Sequence, residues 1–329
     1  MNDKELDHLL RQNTEREEYY LKHPGSPSPR YQTMERITLD GKKIYCFNLP
    51  HLKENEVLIR KDSRYTSVPF YVHTNINLNY IYSGTCTYMI DDTSITLQQG
   101  DVCIFDKDVI RAKMPTGEND IVINISMSKD FFSSGFMSHT SEQSVMASFI
   151  LNALSNNKNH NHYIIFRTDY SPIICSLFNR ILIEYFDSKM YSRNIIQSYL
   201  RIIFLELLRL YHVNSGRHLI RISKDSSNNI IDILHYIEKN YRICTLEDLA
   251  GKFGYHPKYL SSLIKSKTGK SFKSIQLEQR LNVACSLLKN TNQNIQEIAN
   301  LSGISNLNFF YKKFEGYYGM SPKEYRQKY

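Results

Sequence analysis

Tryptophan is absent from the 329 residues, and the other scarcities of this sequence are equally informative. Only six cysteines occur, at 46, 86, 103, 175, 244 and 285, with no C-x-x-C pair and mostly apolar neighbours. That pattern predicts reduced, buried thiols and excludes a disulfide framework or a cysteine zinc site. No apolar run reaches the roughly 18 residues that a membrane span needs. The first twenty residues, MNDKELDHLLRQNTEREEYY, are charged from the third onward and lack an apolar stretch, so no signal peptide is expected and a cytoplasmic location is. No Ser/His/Asp arrangement, P-loop or GxGxxG motif appears, and the pairs Asp91-Asp92 and Asp106-x-Asp108 read as turns, where aspartate is favoured, and not as catalytic carboxylates. The expectation is a protein that is not an enzyme. Hydrophobic residues at 41% and charged residues at 22% are ordinary for globular domains.

The net charge of +8 is unevenly placed. Residues 224–329 carry 16 Lys and Arg against 9 Asp and Glu, and the remainder 25 against 24. A compact basic segment joined to a near-neutral one suggests a polyanion-binding module attached to something else.

The chain divides by pattern. Residues 1–33 form an arm, a charged helix over 1–23 carrying Leu6, Leu9, Leu10 and Leu21, stopped by prolines at 24, 27 and 29. From 34 to 127, short β-branched and aromatic runs alternate with turn signals at Asp40-Gly41, Ser83-Gly84 and Gln99-Gly100-Asp101, which predicts a meander closing as a small barrel or sandwich. Residues 128–213 turn helical, most clearly in 172–185 and 194–211. The second of these is apolar on more than one face and predicts a homodimer through 172–211. The polar stretch 214–228 reads as a linker, and 229–329 as a separate domain.

That last domain contains a diverged repeat. Thr245-Leu-Glu-Asp-Leu-Ala250 and Asn294-Ile-Gln-Glu-Ile-Ala299 each open with an N-cap residue and reach a glycine, Gly254 or Gly303, four residues after the alanine. After a short turn come HPKYLSSLIKSKTG (256–269) and SNLNFFYKKFEGYYG (305–319). The small alanine lets two helices approach, and the glycine permits the tight turn between them, which is helix-turn-helix grammar written twice. In such a motif the second helix enters the DNA major groove. In the first copy Leu260, Leu263 and Ile264 form the apolar side, opposite Lys258, Ser261, Ser262 and Lys265. In the second, Phe310 and Phe314 point inward, and Asn308, Tyr311, Lys312 and Glu315 outward. Together with Asn306, these polar residues suit contact with base edges and phosphates. Between the copies, 271–291 predicts one connecting helix whose length suits recognition helices about one DNA turn apart.

With these residues in place, 230–329 resembles the C-terminal DNA-binding domain of the AraC/XylS family of transcription regulators. The resemblance is carried by 245–250, Tyr259-Leu260, Lys267-Thr-Gly269, Arg280-Leu281, Ile295–Ala299, Gly303, Phe309-Phe310, Phe314, and Gly319-Met-Ser-Pro322 with Tyr325-Arg326. It implies a bacterial, sequence-specific regulator bound to double-stranded promoter DNA, with RNA polymerase as a partner if it activates. Base-contacting roles fall on Lys258, Ser261 and Ser262 and on Asn308, Tyr311 and Lys312. Two residues depart from the family pattern: Ile304 where an aromatic is usual, and Tyr311 where a small polar residue is. Lys313 stands opposite Leu263 in the repeat and must snorkel if that position is half-buried.

Residues 70–113 resemble, less specifically, the cupin-like sensor domain of the same family. The fold implied for the whole chain is α+β: a cupin-like barrel with a helical dimerisation segment, then an all-α double helix-turn-helix. Metal-binding cupins use three histidines and a glutamate; the corresponding positions here are His73, Asn75, Asn79 and Arg111. Two amides and a guanidinium cannot replace imidazoles, so neither metal nor cofactor is expected. The barrel's polar interior then implies a small-molecule effector, with His73, Asn75, Asn79, Tyr80, Tyr82 and Arg111 as candidate contacts and Arg111 able to pair an anionic group. The rival readings are a cupin enzyme acting on a small sugar or acid, and a constitutive DNA binder whose barrel only dimerises.

Overall fold

The computed structural model describes residues 1–39, 41–48, 57–90, 93–107, 109–128, 131, 163–213 and 228–328. They fall into two compact units, described residues up to Val213 and those from Asn228 on. The expected linker 214–228 apart from Asn228, which is already helical, the turn aspartates 91, 92 and 108, and 129–162 apart from Phe131 lie outside the described residues.

The first unit is a two-sheet β-sandwich flanked by helices. Its strands are β1 (Arg36–Leu39), β2 (Lys42–Phe47), β3 (Val57–Lys61), β4 (Val68–His73), β5 (Ile76–Ser83), β6 (Thr85–Ile90), β7 (Thr93–Gln98), β8 (Val102–Phe105), β9 (Arg111–Lys113), β10 (Ile121–Met127) and β11 (Tyr163–Phe166). One sheet runs β1-β2-β4-β9-β6-β7, the other β11-β8-β5-β10-β3. Every pairing is antiparallel except β2 with β4. The second sheet is covered on both sides, so β8 and β11 are buried throughout and read as unbroken apolar runs. β11 corrects the expectation that 128–213 is wholly helical: Tyr-Ile-Ile-Phe is too short and too β-branched to hold a helix, and it completes the sheet edge beside β8.

Inward-facing side chains change character along the strands. At one end Ile81, Tyr88, Leu97, Phe105 and Val122 make a dry core. At the other the same strand faces carry Asn77 and Asn79 on β5, Asn124 and Ser126 on β10, and Arg111 on β9. Alternation with period two puts Tyr80 on the opposite face of β5, where its ring stacks on Phe178 at 3.8 Å.

Phe178 belongs to α3 (Pro172–Asp187), which is followed by α4 (Ser192–Val213). Their inner faces bury Ile174, Ile181, Leu182, Leu200, Phe204 and Leu207, while Ile173, Phe186, Met190, Ile202 and Leu205 stay exposed. The expected single N-terminal helix is in fact two, α1 (Asp3–Arg11) and α2 (Glu15–Lys22). Thr14 starts α2 with a capping box, its hydroxyl taking the Glu17 amide while Glu17 accepts from the Thr14 amide, which ends α1 before it. Nor is this segment a loose arm. Leu6 and Leu10 are buried, and Glu17 is fully buried under Lys61 and Arg64 at 2.9 and 2.8 Å. Burial alone would raise its pKa, but hydrogen bonds from Arg64, Lys61 and the amides of Thr14 and Arg64 outweigh it and hold the carboxyl at about 2, well under the ordinary 4.5.

The second unit is all-α: α5 (Asn228–Asn240), α6 (Leu246–Phe253), α7 (Pro257–Thr268), α8 (Phe272–Asn290), α9 (Ile295–Leu301), α10 (Leu307–Tyr318) and α11 (Pro322–Lys328). One half packs Ile230, Leu234, Leu249, Ala250, Leu260 and Ile264; the other packs Leu281, Ala284, Ile298, Ala299, Phe310 and Phe314. The long helix α8 joins them.

Candidate nucleic-acid interface and effector cavity

Both halves of the repeat form as their spacing predicts. Thr245 and Asn294 close capping boxes with Asp248 and Glu297, fixing where α6 and α9 begin. Gly254 and Gly303 take left-handed backbone at φ 70° and 84°, turning the chain into α7 and α10. At Gly303 a side chain would also press on Arg242 and Arg280, its Cβ lying 3.3 Å from each.

On α7 Lys258, Ser262 and Lys265 are exposed and Ser261 half-buried; on α10 Asn308 and Lys312 are exposed. Two residues sit otherwise than expected. Tyr311 is half-buried against the second core, edge-on to Phe310, so its ring contributes to packing as well as to the outer surface. Asn306 is the N-cap of α10, its Oδ1 accepting from the Phe309 amide at 2.9 Å, so its side chain is already engaged in starting the helix. Lys313 is exposed and lies over the Phe309 ring at 5.6 Å. Tyr259 and Phe309, which are not among the expected contacts, occupy equivalent places in the repeat and are 50% and 44% exposed beside the polar stripes. The repeat itself was the signal that could have found them.

α8 fixes both motifs. Gln276 and Arg280 donate to the Tyr241 carbonyl, both at 3.0 Å, and they also reach the carbonyls of Cys244 and Arg242 respectively. On the other side, buried Glu278 accepts from Lys270 and Tyr317, each at 2.7 Å, and Asn282 from Tyr318.

In the first unit a cavity of about 490 Å³ opens beside the polar end of the sandwich. Of the expected effector contacts, His73 lines it. It is buried, with its Nδ1 unpartnered, and burial together with the charges of Arg111, Arg30 and Arg60 drives its pKa well below the ordinary value, so the imidazole is neutral at pH 7. Asn79 and Arg111 belong to a buried network behind the cavity: Asn79 donates to Asn77, Asn77 to Asn124, and Asn124 to Asn79. Asn75 stands at the edge, accepting from Thr74 at 2.8 Å. Tyr80 and Tyr82 are not brought to this group, since Tyr80 stacks on α3 and the Tyr82 hydroxyl donates to Asp7 of α1.

Arg111 differs most from its expected role. It is fully buried between the Phe105 and Tyr71 rings, and it donates to the Tyr71 hydroxyl, the Val109 carbonyl and Asn77. Its guanidinium is engaged within the sandwich and does not present a free fork to a ligand. The cations that line the cavity are instead Arg16, Arg30, Arg60, Lys61 and Lys113, against the single carboxylate of Asp62. Sequence reasoning missed them because they come from separate segments with no common spacing. The described residues contain no cluster of His, Cys, Asp and Glu able to hold a metal.

Residues 249–328 match the family model described as a helix-turn-helix domain. Among curated proteins the chain is 34% identical over 104 residues to an uncharacterized HTH-type transcriptional regulator, YtdP of Bacillus subtilis, covering 32% of this chain and 13% of that protein. It is 30% identical over 126 residues to the raffinose operon transcriptional regulatory protein RafR of Pediococcus pentosaceus, covering 38% of this chain and 44% of RafR. The chain therefore spans less than half the length of either relative. Among solved structures it resembles the C-terminal domain of the two-component response regulator yesN from Fusobacterium nucleatum, at 35% identity over 30% of this chain and 99% of that one, TM-score 0.29. It also resembles an apo form of ToxT from Vibrio cholerae, at 15% identity over 83% of this chain and 98% of that one, TM-score 0.36.

Proposed function

We propose that this chain, whose C-terminal unit is a DNA-binding domain of the AraC/XylS family, is a transcription regulator that reads two neighbouring segments of promoter DNA and is governed by a small molecule in its N-terminal sandwich. The observation that carries the reading is the pair of helix-turn-helix motifs held on one helix, with the polar sides of α7 and α10 exposed. Lys258, Ser261, Ser262 and Lys265, with Asn306, Asn308, Tyr311 and Lys312, supply the contacts: amide and ammonium groups to base edges, hydroxyls and ammonium groups to phosphates. Selection of duplexes from a random pool by the intact chain tests this. Enrichment of a two-part site is the expected result; equal, salt-sensitive binding to every sequence would leave only a non-specific binder.

The exposed residues Ile173, Met190, Ile202 and Leu205 on α3, α4 and the turn between them support a homodimer through 172–211. An effector would act by favouring one arrangement of the DNA-binding units over another, which requires different affinities for the two. The chemistry is that of a regulator and not of an enzyme, acting in the cytoplasm, with RNA polymerase a partner where it activates. No described helix is long and apolar enough to cross a membrane.

A further inference from the structure

The mouth of the sandwich cavity gathers three guanidinium groups from separate segments. Arg16 comes from α2, Arg30 from the 3₁₀ turn Pro29–Gln32, and Arg60 from β3. Among the described residues none of the three forms an ion pair, whereas the neighbouring cations do: Lys61 pairs with Glu17, and Lys113 with Asp62 at 3.0 Å. They line the same concavity, and Arg30 feels the other two: partial burial, then the charges of Arg16 and Arg60, lowers its pKa. Folding has placed like charges together around a concavity, at a cost that a bound anion would reverse. Deeper in the wall, His73 keeps a buried nitrogen without a partner.

We propose that this cavity binds a small phosphate ester, its phosphate held by Arg16, Arg30 and Arg60 and its hydroxylated body lying toward His73. Three forks exceed what the two oxygens of one carboxylate can use, and they match the three terminal oxygens of a phosphate. The remaining wall, with Ser28, Thr66, Asn124 and Ser126 beside Tyr31 and Tyr71, offers hydroxyl and amide partners and aromatic faces to a polyol body. The volume of about 490 Å³ is of the size that encloses such a molecule. This rests on the effector reading above and gives it a ligand class. It also moves the anion contact from Arg111, whose donors are already engaged, to the rim.

Calorimetric titration of the intact chain with glucose 6-phosphate, ribose 5-phosphate, inorganic phosphate, succinate and glucose tests the proposal. At least one phosphate ester should bind, more tightly than inorganic phosphate or succinate, and glucose should not. The double variant Arg30→Gln, Arg60→Gln should lose affinity about tenfold or more, while Lys258→Gln, Lys312→Gln on the other unit should keep it. Both arginines are exposed, so unchanged thermal melting of the double variant confirms that its fold is intact. Binding that survives Arg30→Gln, Arg60→Gln, a preference for succinate, equal binding of glucose, or no binding of either ester overturns the phosphate assignment. DNA affinity measured on the same samples separates the two readings. Phosphate-ester binding with no specific DNA binding would remove the regulator, and specific DNA binding with no phosphate-ester binding would remove only the ligand class.

Discussion

Glu17 shows how one side chain can decide the state of a whole segment. Its carboxylate is completely buried and joins the N-terminal helices to β3 and to Arg64, whose remaining donors reach Arg11, Asn13 and Glu118. Glu17→Gln leaves Arg64 buried without its counter-charge and should cost about 3–5 kcal/mol, read by urea unfolding of the intact chain. Because the folded pKa is lowered, to about 2 from 4.5, the contribution is fully present above the unfolded value and is lost as pH falls from about 4.5 toward 2. Wild type should therefore lose stability over that window, and Glu17→Gln should show a flatter profile; the same slope in both would contradict the assignment. Gly303→Ala meets a different obstacle, a positive φ and a close approach to Arg242 and Arg280, and should destabilise by about 1–3 kcal/mol in the same assay. Gly254→Ala meets only the φ and should cost less.

At the scale of elements, the recognition helices were legible because their signals are local. In each copy a capping residue, apolar spacing and a turn glycine lie within about ten residues of one another, and the same grammar occurs twice. What escaped was role-sharing: Asn306 caps as well as faces outward, and Tyr311 packs as well as points out. The strands were legible as strands, but not their partners. Nothing in Lys42–Phe47 announces a parallel pairing with Val68–His73, and nothing in Arg16, Arg30 and Arg60 announces a shared cavity, since both depend on contacts between distant segments. The exposed positions of α10 and α4 carry one prediction each. Lys312→Ala should weaken binding to a selected duplex about tenfold, while Lys189→Ala, on the turn after α3, should leave it unchanged; equal losses in a gel-shift titration would contradict the groove assignment. Ile202→Asp with Leu205→Asp places two charges on an exposed apolar face and should convert a dimer to monomer in light scattering, without loss of helicity.

For the molecule as a whole, the charge excess follows from this division of labour. The 16-to-9 imbalance of residues 224–329 lies on the unit with the two motifs, while the near-neutral remainder brings Arg16, Arg30 and Arg60 together around one cavity. If both motifs grip one duplex, removing Lys258 or Lys312 should each reduce the salt dependence of binding by about one counterion, and removing both by about two. A single-motif contact would show the effect for only one of them.

The connecting helix α8, 19 residues and about 28 Å long, is bound by side chains to the elements on either side of it. It therefore acts as a ruler of fixed length, and on the proposed reading a ruler constrains how a two-part DNA site can drift. Base changes in the gap between the two contacted segments would be nearly silent. The insertion or loss of about five base pairs there would swing one segment to the far side of the double helix, where the second motif has no means of following. On the proposed reading, sites gripped by both motifs should thus diverge by substitution while conserving their length.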